Sequence, residues 1–279
     1  MIKTSTQLKA LVRNKSQGDS TKTQLIIRNY IMERFLERLS ISSYKDNIII
    51  KGGILIASII GHENRSTMDI DSTVKNTDLT LESIEELVLD VINIKLEDSV
   101  EFKILDISPI MDNLDYPGIR VSLEATIDKM RTPLKLDFST GDKITPSEVE
   151  YQYPLMFENR NISIMTYNLE TILAEKFETI ISRGILNSRM RDFYDIYALL
   201  ESELLINEKD FNLAIRNTFS NRGTIISLNE WQLIINEIKN NEDMMKLWKS
   251  YQNKFDYARK VSWIKILEAI ENLLNMIKL

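Results

Sequence analysis

Apolar residues recur at helical spacing in some stretches and in short β-branched or alternating runs in others, and the two patterns divide the chain into a mixed half and a helical half. The spacing predicts a short helix over residues 5–14, with Leu8, Leu11 and Val12 on one side. A loop over 15–20 follows, then an amphipathic helix over 22–39 carrying Ile26, Ile27, Tyr30, Ile31, Phe35 and Leu39. Ile48-Ile49-Ile50 reads as a brief buried strand entering a glycine pair, 54–60 as a helix, 68–74 as a second strand, and 81–94 as a helix capped by Thr80. Strands are predicted over 102–110, 119–127 and 134–139, with turns at Tyr116-Pro117-Gly118 and Arg131-Thr132-Pro133. After a short strand, Ile162-Ser163-Ile164, helices are predicted over 169–182, 190–202, 208–219, 229–240, 242–255 and 257–278. The fold class is therefore α/β (α+β): a mixed sheet with flanking helices in residues 1–165, then a helical region in 166–279.

Composition narrows the class without naming a function. The 279 residues are 43% hydrophobic and 27% charged, ordinary for a globular protein and incompatible with wholesale disorder. There is no cysteine, which excludes disulfides, thiolate zinc sites and a thiol nucleophile. No signal-peptide core opens the chain and no segment has membrane-spanning length, so a cytoplasmic protein with no membrane partner is expected. The net charge of −6 argues against a protein coated in nucleic acid but not against a local grip on RNA. Lys246, Lys249, Lys254, Arg259, Lys260 and Lys265 run against that balance, interleaved with Trp248, Tyr251, Phe255, Tyr257 and Trp263. Such a stretch fits a surface that stacks bases, or a core-facing aromatic stripe with a solvated basic flank, since Trp248, Tyr251 and Phe255 fall at helical spacing.

The chemistry begins at Lys51-Gly52-Gly53, followed after an apolar run by Arg65-Ser66-Thr67-Met68-Asp69-Ile70-Asp71. On a strand, Asp69 and Asp71 project together, about 6.5–7 Å apart, while Met68 and Ile70 point to the buried side. Two bare carboxylates at that distance repel by about 2–3 kcal/mol, and a divalent cation turns the penalty into a set of hard oxygen ligands suited to Mg²⁺. Gly52 and Gly53 let a phosphate approach the backbone, the helix after them offers free amides, and Arg65 can fork onto phosphate oxygens. Taken singly, an Asp-x-Asp or a Gly-Gly is a turn; their order between strands is what points to a triphosphate held against metal.

Asp137, in Lys135-Leu136-Asp137-Phe138-Ser139, is a third candidate. If its strand pairs beside that of Asp69 and Asp71, three carboxylates converge, enough for two ions; otherwise it is an exposed strand residue. A second cluster comprises Glu175-Lys176, Arg183, and Arg189-Met190-Arg191-Asp192-Phe193-Tyr194-Asp195. Its cations can neutralise triphosphate charge, with Asp192 and Asp195 orienting them or handling a proton; a set of ordinary salt bridges fits equally. His62 is the only histidine and reads as a loop residue, and no Walker-type loop, kinase signature or zinc pattern is present.

Together these motifs resemble the DNA-polymerase-β-like nucleotidyltransferases. With Ala174-Glu175-Lys176-Phe177 and the Arg183 to Asp195 stretch added, the chain looks like an AbiEii toxin of AbiE-type toxin–antitoxin systems, related to the MenT toxins. The resemblance runs from the Leu8-Lys9-Ala10-Leu11 helix to about Leu200. It implies a nucleotidyltransferase sheet, Mg²⁺, a nucleoside triphosphate donor such as GTP or CTP, and transfer to RNA at the tRNA acceptor end, blocking translation in abortive phage infection. It also implies a cognate AbiEi-type antitoxin acting without a stable complex. Carried over by position, Asp69 and Asp71 are the metal aspartates, Lys176 and Asp192 belong to the third and fourth motifs, and Asp137 matches the remaining strand carboxylate more loosely. Gly52, Gly53, Arg65, Ser66, Lys176, Arg189 and Arg191 are the expected nucleotide contacts. Fifteen residues separate Gly53 from Asp69, more than the superfamily's usual spacing. Protein nucleotidylation and a non-enzymatic nucleotide-binding module remain the alternative functions.

Overall fold

Residues 1–110, 118–202, 204–225 and 227–278 are described by the structure, a computed structural model. The chain divides into two compact units. One comprises Met1–Ser58, Ser66–Gly141 and Val149–Thr166; the other comprises Ile59–Arg65, Asp142–Glu148 and Tyr167–Leu279.

The first unit opens with α1 (Ser5–Ser16) and α2 (Ser20–Ser40), then alternates β1 (Ile48–Lys51), α3 (Gly52–Ile60), β2 (Asp69–Val74) and α4 (Leu81–Ile92). Five strands follow: β3 (Glu101–Pro109), β4 (Gly118–Ile127), β5 (Met130–Ser139), β6 (Val149–Pro154) and β7 (Asn161–Thr166). They form one mixed sheet in the order β3-β4-β5-β2-β1-β7-β6. β2 runs antiparallel to β1 and parallel to β5, and β4 runs antiparallel to β5. Ile70, Ile119, Val121, Leu123, Leu134, Leu136 and Phe138 alternate onto the buried face of these strands.

Helix α2 differs from its expected amphipathic form. Every residue from Asn29 to Leu39 is buried, four charged ones included. Three of the charges are accommodated in ion pairs, Arg34 with Glu37 at 2.7 Å, Glu37 with Arg160 at 2.7 Å, and Arg38 with Asp98 at 2.7 Å, while Glu33 accepts from the Met156 amide and burial pushes its carboxyl up to about 8. Arg38 holds Asp98 through both terminal nitrogens and also donates to the Val100 carbonyl at 2.9 Å.

Several other expectations are corrected. The loop expected from Lys15 shortens to a tight turn at Gln17 and Gly18, and Asp19 then caps α2 by accepting from the amides of Thr21 and Lys22. Arg131, Thr132 and Pro133 lie inside β5, and the chain reverses instead at Asp128-Lys129, between the paired Ile127 and Met130. Pro133 is tolerated because the β2 ladder begins only at Lys135, so its missing N–H costs no bond on that side. Met68 precedes β2 and is 49% exposed, not buried with Ile70. β6 escapes the sequence pattern because only Tyr153 on it is buried. Tyr116-Pro117 lies outside the described residues.

The second unit is helical: α5 (Leu169–Arg183), α6 (Met190–Glu201), α7 (Glu208–Asn221), α8 (Leu228–Asn240), α9 (Glu242–Lys254) and α10 (Trp263–Asn275). Polar caps start most of them; Asn168, Asn207, Ser227, Asn241 and Ser262 each accept from a first-turn amide. The helix expected over 257–278 is broken: a 3₁₀ turn, Asp256–Ala258, precedes the Ser262 cap. Phe177, Phe219 and Trp231 form one aromatic core, with centroids 4.5–6.2 Å apart.

Asp98→Ala is expected to strand the buried Arg38 guanidinium and lower stability by about 3–5 kcal/mol. Asp98→Leu combined with Arg38→Met should recover most of that loss. Urea unfolding of the wild type and the two variants checks both outcomes.

Candidate active site

The register of the sheet builds the site. Lys51 on β1 faces Asp71 on β2, Asp71 faces Asp137 on β5, and Asp137 faces Arg120 on β4. Directly opposed residues share a face, so one transverse row across four strands reads cation, acid, acid, cation. Asp69 lies two residues before Asp71 and joins the same side. One carboxylate oxygen from each of Asp69, Asp71 and Asp137 can be chosen so that all three lie within 4.8 Å of one another. Ligands of a single octahedral Mg²⁺ stand about 3 to 4 Å apart, so the hard-oxygen set fits such an ion with little adjustment.

Asp71 is the most constrained of the three. Burial, the neighbouring Asp69 charge and Asp137 push its carboxyl up to about 6, against the pull of Lys51 and the Gly53 amide, which donates to it. Gly52 has a φ of +69°, and a β-carbon there would sit 2.1 Å from an Asp71 oxygen. The close approach to the Gly52 backbone expected of a phosphate is thus made by the Asp71 carboxylate itself. The Thr67 hydroxyl donates to the Asp69 carbonyl at 3.2 Å, and Lys51 donates through Nζ to Ser139 Oγ at 2.8 Å. Ser66 is half-buried just ahead of Thr67.

Asp137 is held from its other side. Arg120 Nε donates to Oδ1 at 2.7 Å and Nη2 to Oδ2 at 2.6 Å. Neither Arg120 nor Lys51 was singled out as a site residue by the sequence. Their signal is positional: polar residues on strands of buried neighbours, visible as site residues only once the register is known.

The second cluster lies within the helical unit. Lys176 on α5 reaches Asp192 at 2.9 Å and Asp195 at 2.7 Å, both on α6. Arg65 is buried and donates to Asp195 from Nε at 2.6 Å and Nη2 at 3.1 Å. The fork expected to bind phosphate is therefore engaged by a carboxylate. The Tyr194 hydroxyl also donates to the Asn64 carbonyl at 2.8 Å, fixing the same segment. Burial pushes the Asp195 carboxyl up, yet Arg65 and Lys176 outweigh it and hold it at about 2. Arg189 lies 3.4 Å from Asp192 and is half exposed, while Arg191 sits over the Phe255 ring. The aromatic residues of the basic stretch pack on one another: Trp248 stacks on Tyr251, both buried, and Tyr257 packs on Tyr194. Lys246 and Arg259 pair with Asp243 and Asp256. That arrangement is the core-facing stripe with a solvated flank. Among the described residues no helix is long and apolar enough to cross a membrane.

Two measurements test this geometry. Gly52→Ala is expected to displace Asp71 and weaken Mn²⁺ binding at least tenfold by calorimetry, with wild-type affinity counting against the contact. The pH dependence follows from Asp71 holding its proton up to about 6 instead of 3.8. Without metal, this group disfavours the folded state progressively as pH rises between those values, by about 1.4 kcal/mol per pH unit. In chelator, Asp71→Asn should therefore melt with the wild type near pH 4 and above it at pH 7. Equal melting at both pH values would contradict the crowding. Asp195 has the opposite sign, its stabilisation being lost as pH falls from about 4 towards 2.

Two solved structures are similar to this chain. The JHP933 protein of Helicobacter pylori aligns at a TM-score of 0.50 and 15% identity, covering 91% of this chain and 90% of that one. A candidate nucleotidyltransferase of H. pylori aligns at a TM-score of 0.49 and 15% identity, covering 91% and 92%. At that identity the likeness speaks of fold alone. No curated protein matches the sequence. The model of one family, the nucleotidyl transferase AbiEii toxins of type IV toxin–antitoxin systems, matches residues 34–275, most of both units. The chain belongs to the AbiEii family of nucleotidyl transferase toxins.

Proposed function

We propose that this chain transfers a nucleotidyl group from a nucleoside triphosphate, GTP or CTP, onto RNA at the acceptor end of tRNA, blocking translation during phage infection. The supporting observation is the meeting of Asp69, Asp71 and Asp137 on one face of the sheet, an arrangement the parallel β2–β5 register produces. In such a transfer the acceptor hydroxyl oxygen bonds to the α-phosphorus, the bond to the β-phosphate bridging oxygen breaks, and pyrophosphate leaves. The hydroxyl proton needs a base, and Asp137 is the carboxylate we assign to it, or to the second half of the ligand set. Asp69, Asp71 and Asp137 would hold Mg²⁺, which would neutralise and orient the phosphates.

Gly53 and Ser66 are proposed as triphosphate contacts. Arg65 is not, because Asp195 occupies its fork. Lys176, Asp192, Arg189 and Arg191 are proposed to be needed for full activity. The reaction is placed in the cytoplasm, with an AbiEi-type antitoxin countering it without a stable complex.

The test is incubation with Mg²⁺, each of four α-labelled triphosphates, total RNA and cell protein. Label in tRNA is expected from the wild type, with Asp69→Ala and Asp71→Ala reduced at least a thousandfold while keeping wild-type circular dichroism. Label in polypeptide would replace the RNA acceptor with a protein one. Nucleotide binding with no transfer would leave a regulatory module, and unfolding of both alanine variants would make the acids structural.

A further inference from the structure

A carboxylate on Asp137 has every electrostatic reason to turn away from Asp69 and Asp71. Carboxylate oxygens within 4.8 Å of one another repel when both groups are charged. Rotation about the Cα–Cβ bond to another staggered position would carry its oxygens out of the cluster. It is nevertheless turned inward, and what holds it is Arg120, directly across on β4, with one hydrogen bond to each oxygen.

We propose that Arg120 is the positioning residue for Asp137, fixing its rotamer so that an oxygen of its carboxylate stays within the cluster formed with Asp69 and Asp71. Three observations carry this. The guanidinium approaches side-on through Nε and Nη2, so it takes one acceptor site on each oxygen and leaves another on each. Arg120 sits on a strand whose alternate residues Ile119, Val121 and Leu123 are buried, which fixes its backbone and aims it at the site face. The pair is a short two-point fork in which Arg120 is 37% exposed and Asp137 only 15%, so it fixes the carboxylate in direction as well as in charge.

The inference rests on the reading of the three acids as a metal site, and the experiment separates the two. Arg120→Lys keeps the charge near the site and removes the planar fork, so any change reports geometry alone. Mn²⁺ binding to the full chain is measured by calorimetry, with no nucleotide or acceptor present. Arg120→Lys is expected to bind Mn²⁺ about 10- to 100-fold more weakly, the usual consequence of losing a partner that orients a ligand. Asp137→Asn should lose a similar factor, and the double variant should be no weaker than Asp137→Asn alone. Thermal melts in chelator establish that all three variants are folded. Wild-type affinity in Arg120→Lys, or losses that multiply in the double variant, would overturn the role of Arg120. If the wild type takes up no Mn²⁺, the metal-site reading itself fails.

Discussion

Like charge brought together is the constraint around which this sheet is organised. Asp69, Asp71 and Asp137 place three carboxylate oxygens within 4.8 Å, a crowding that the strand register imposes and mutual repulsion opposes. The offsets surround them on the page of the sheet. Lys51 and Arg120 close the row at either end, the Gly53 amide donates to Asp71, and Asp71 gives up part of its charge below pH 6. The site is consistent only as a whole, because removing one offset raises the cost of every remaining negative charge.

The helical unit shows the same residue type under the opposite balance. Asp195 is as deeply buried as any acid in the chain, yet its carboxyl is held at about 2 whereas that of Asp71 is pushed to about 6. The difference lies in partners: Asp195 has Arg65 and Lys176 in direct contact, whereas Asp71 has two other acids beside it. A buried carboxylate already paired with two cations gains little from a further positive charge, whereas one crowded by its own kind gains more. The charge balance at Asp71 is thus the one an added cation would relieve, whereas Asp195 is already neutralised by Arg65 and Lys176.

Much of this was legible in the sequence, for identifiable reasons. Strands and helices show through where one face is buried, as in β4 with its strict alternation or α4 with its Thr80 cap. Asp69 and Asp71 announce themselves because strand periodicity places them on one face with no tertiary information. Asp137 needed the β2–β5 pairing, and Arg120 and Lys51 needed the register residue by residue, which periodicity does not supply. α2 misled in the other direction: it read as amphipathic, but Arg38 and Glu37 are buried against partners, Asp98 and Arg160, that are far away in sequence.

The unusual spacing between Gly53 and Asp69 has a structural counterpart. Of the residues between them, Ile59–Arg65 count with the helical unit, where Arg65 meets Asp195 and the Asn64 carbonyl accepts from Tyr194. The loop that looked like a phosphate-binding arm carries a residue whose guanidinium is complemented by a carboxylate on α6. Gly53 at the start of α3 and Ser66 just before β2 stay with the sheet unit, whereas Arg65 belongs to the helical one.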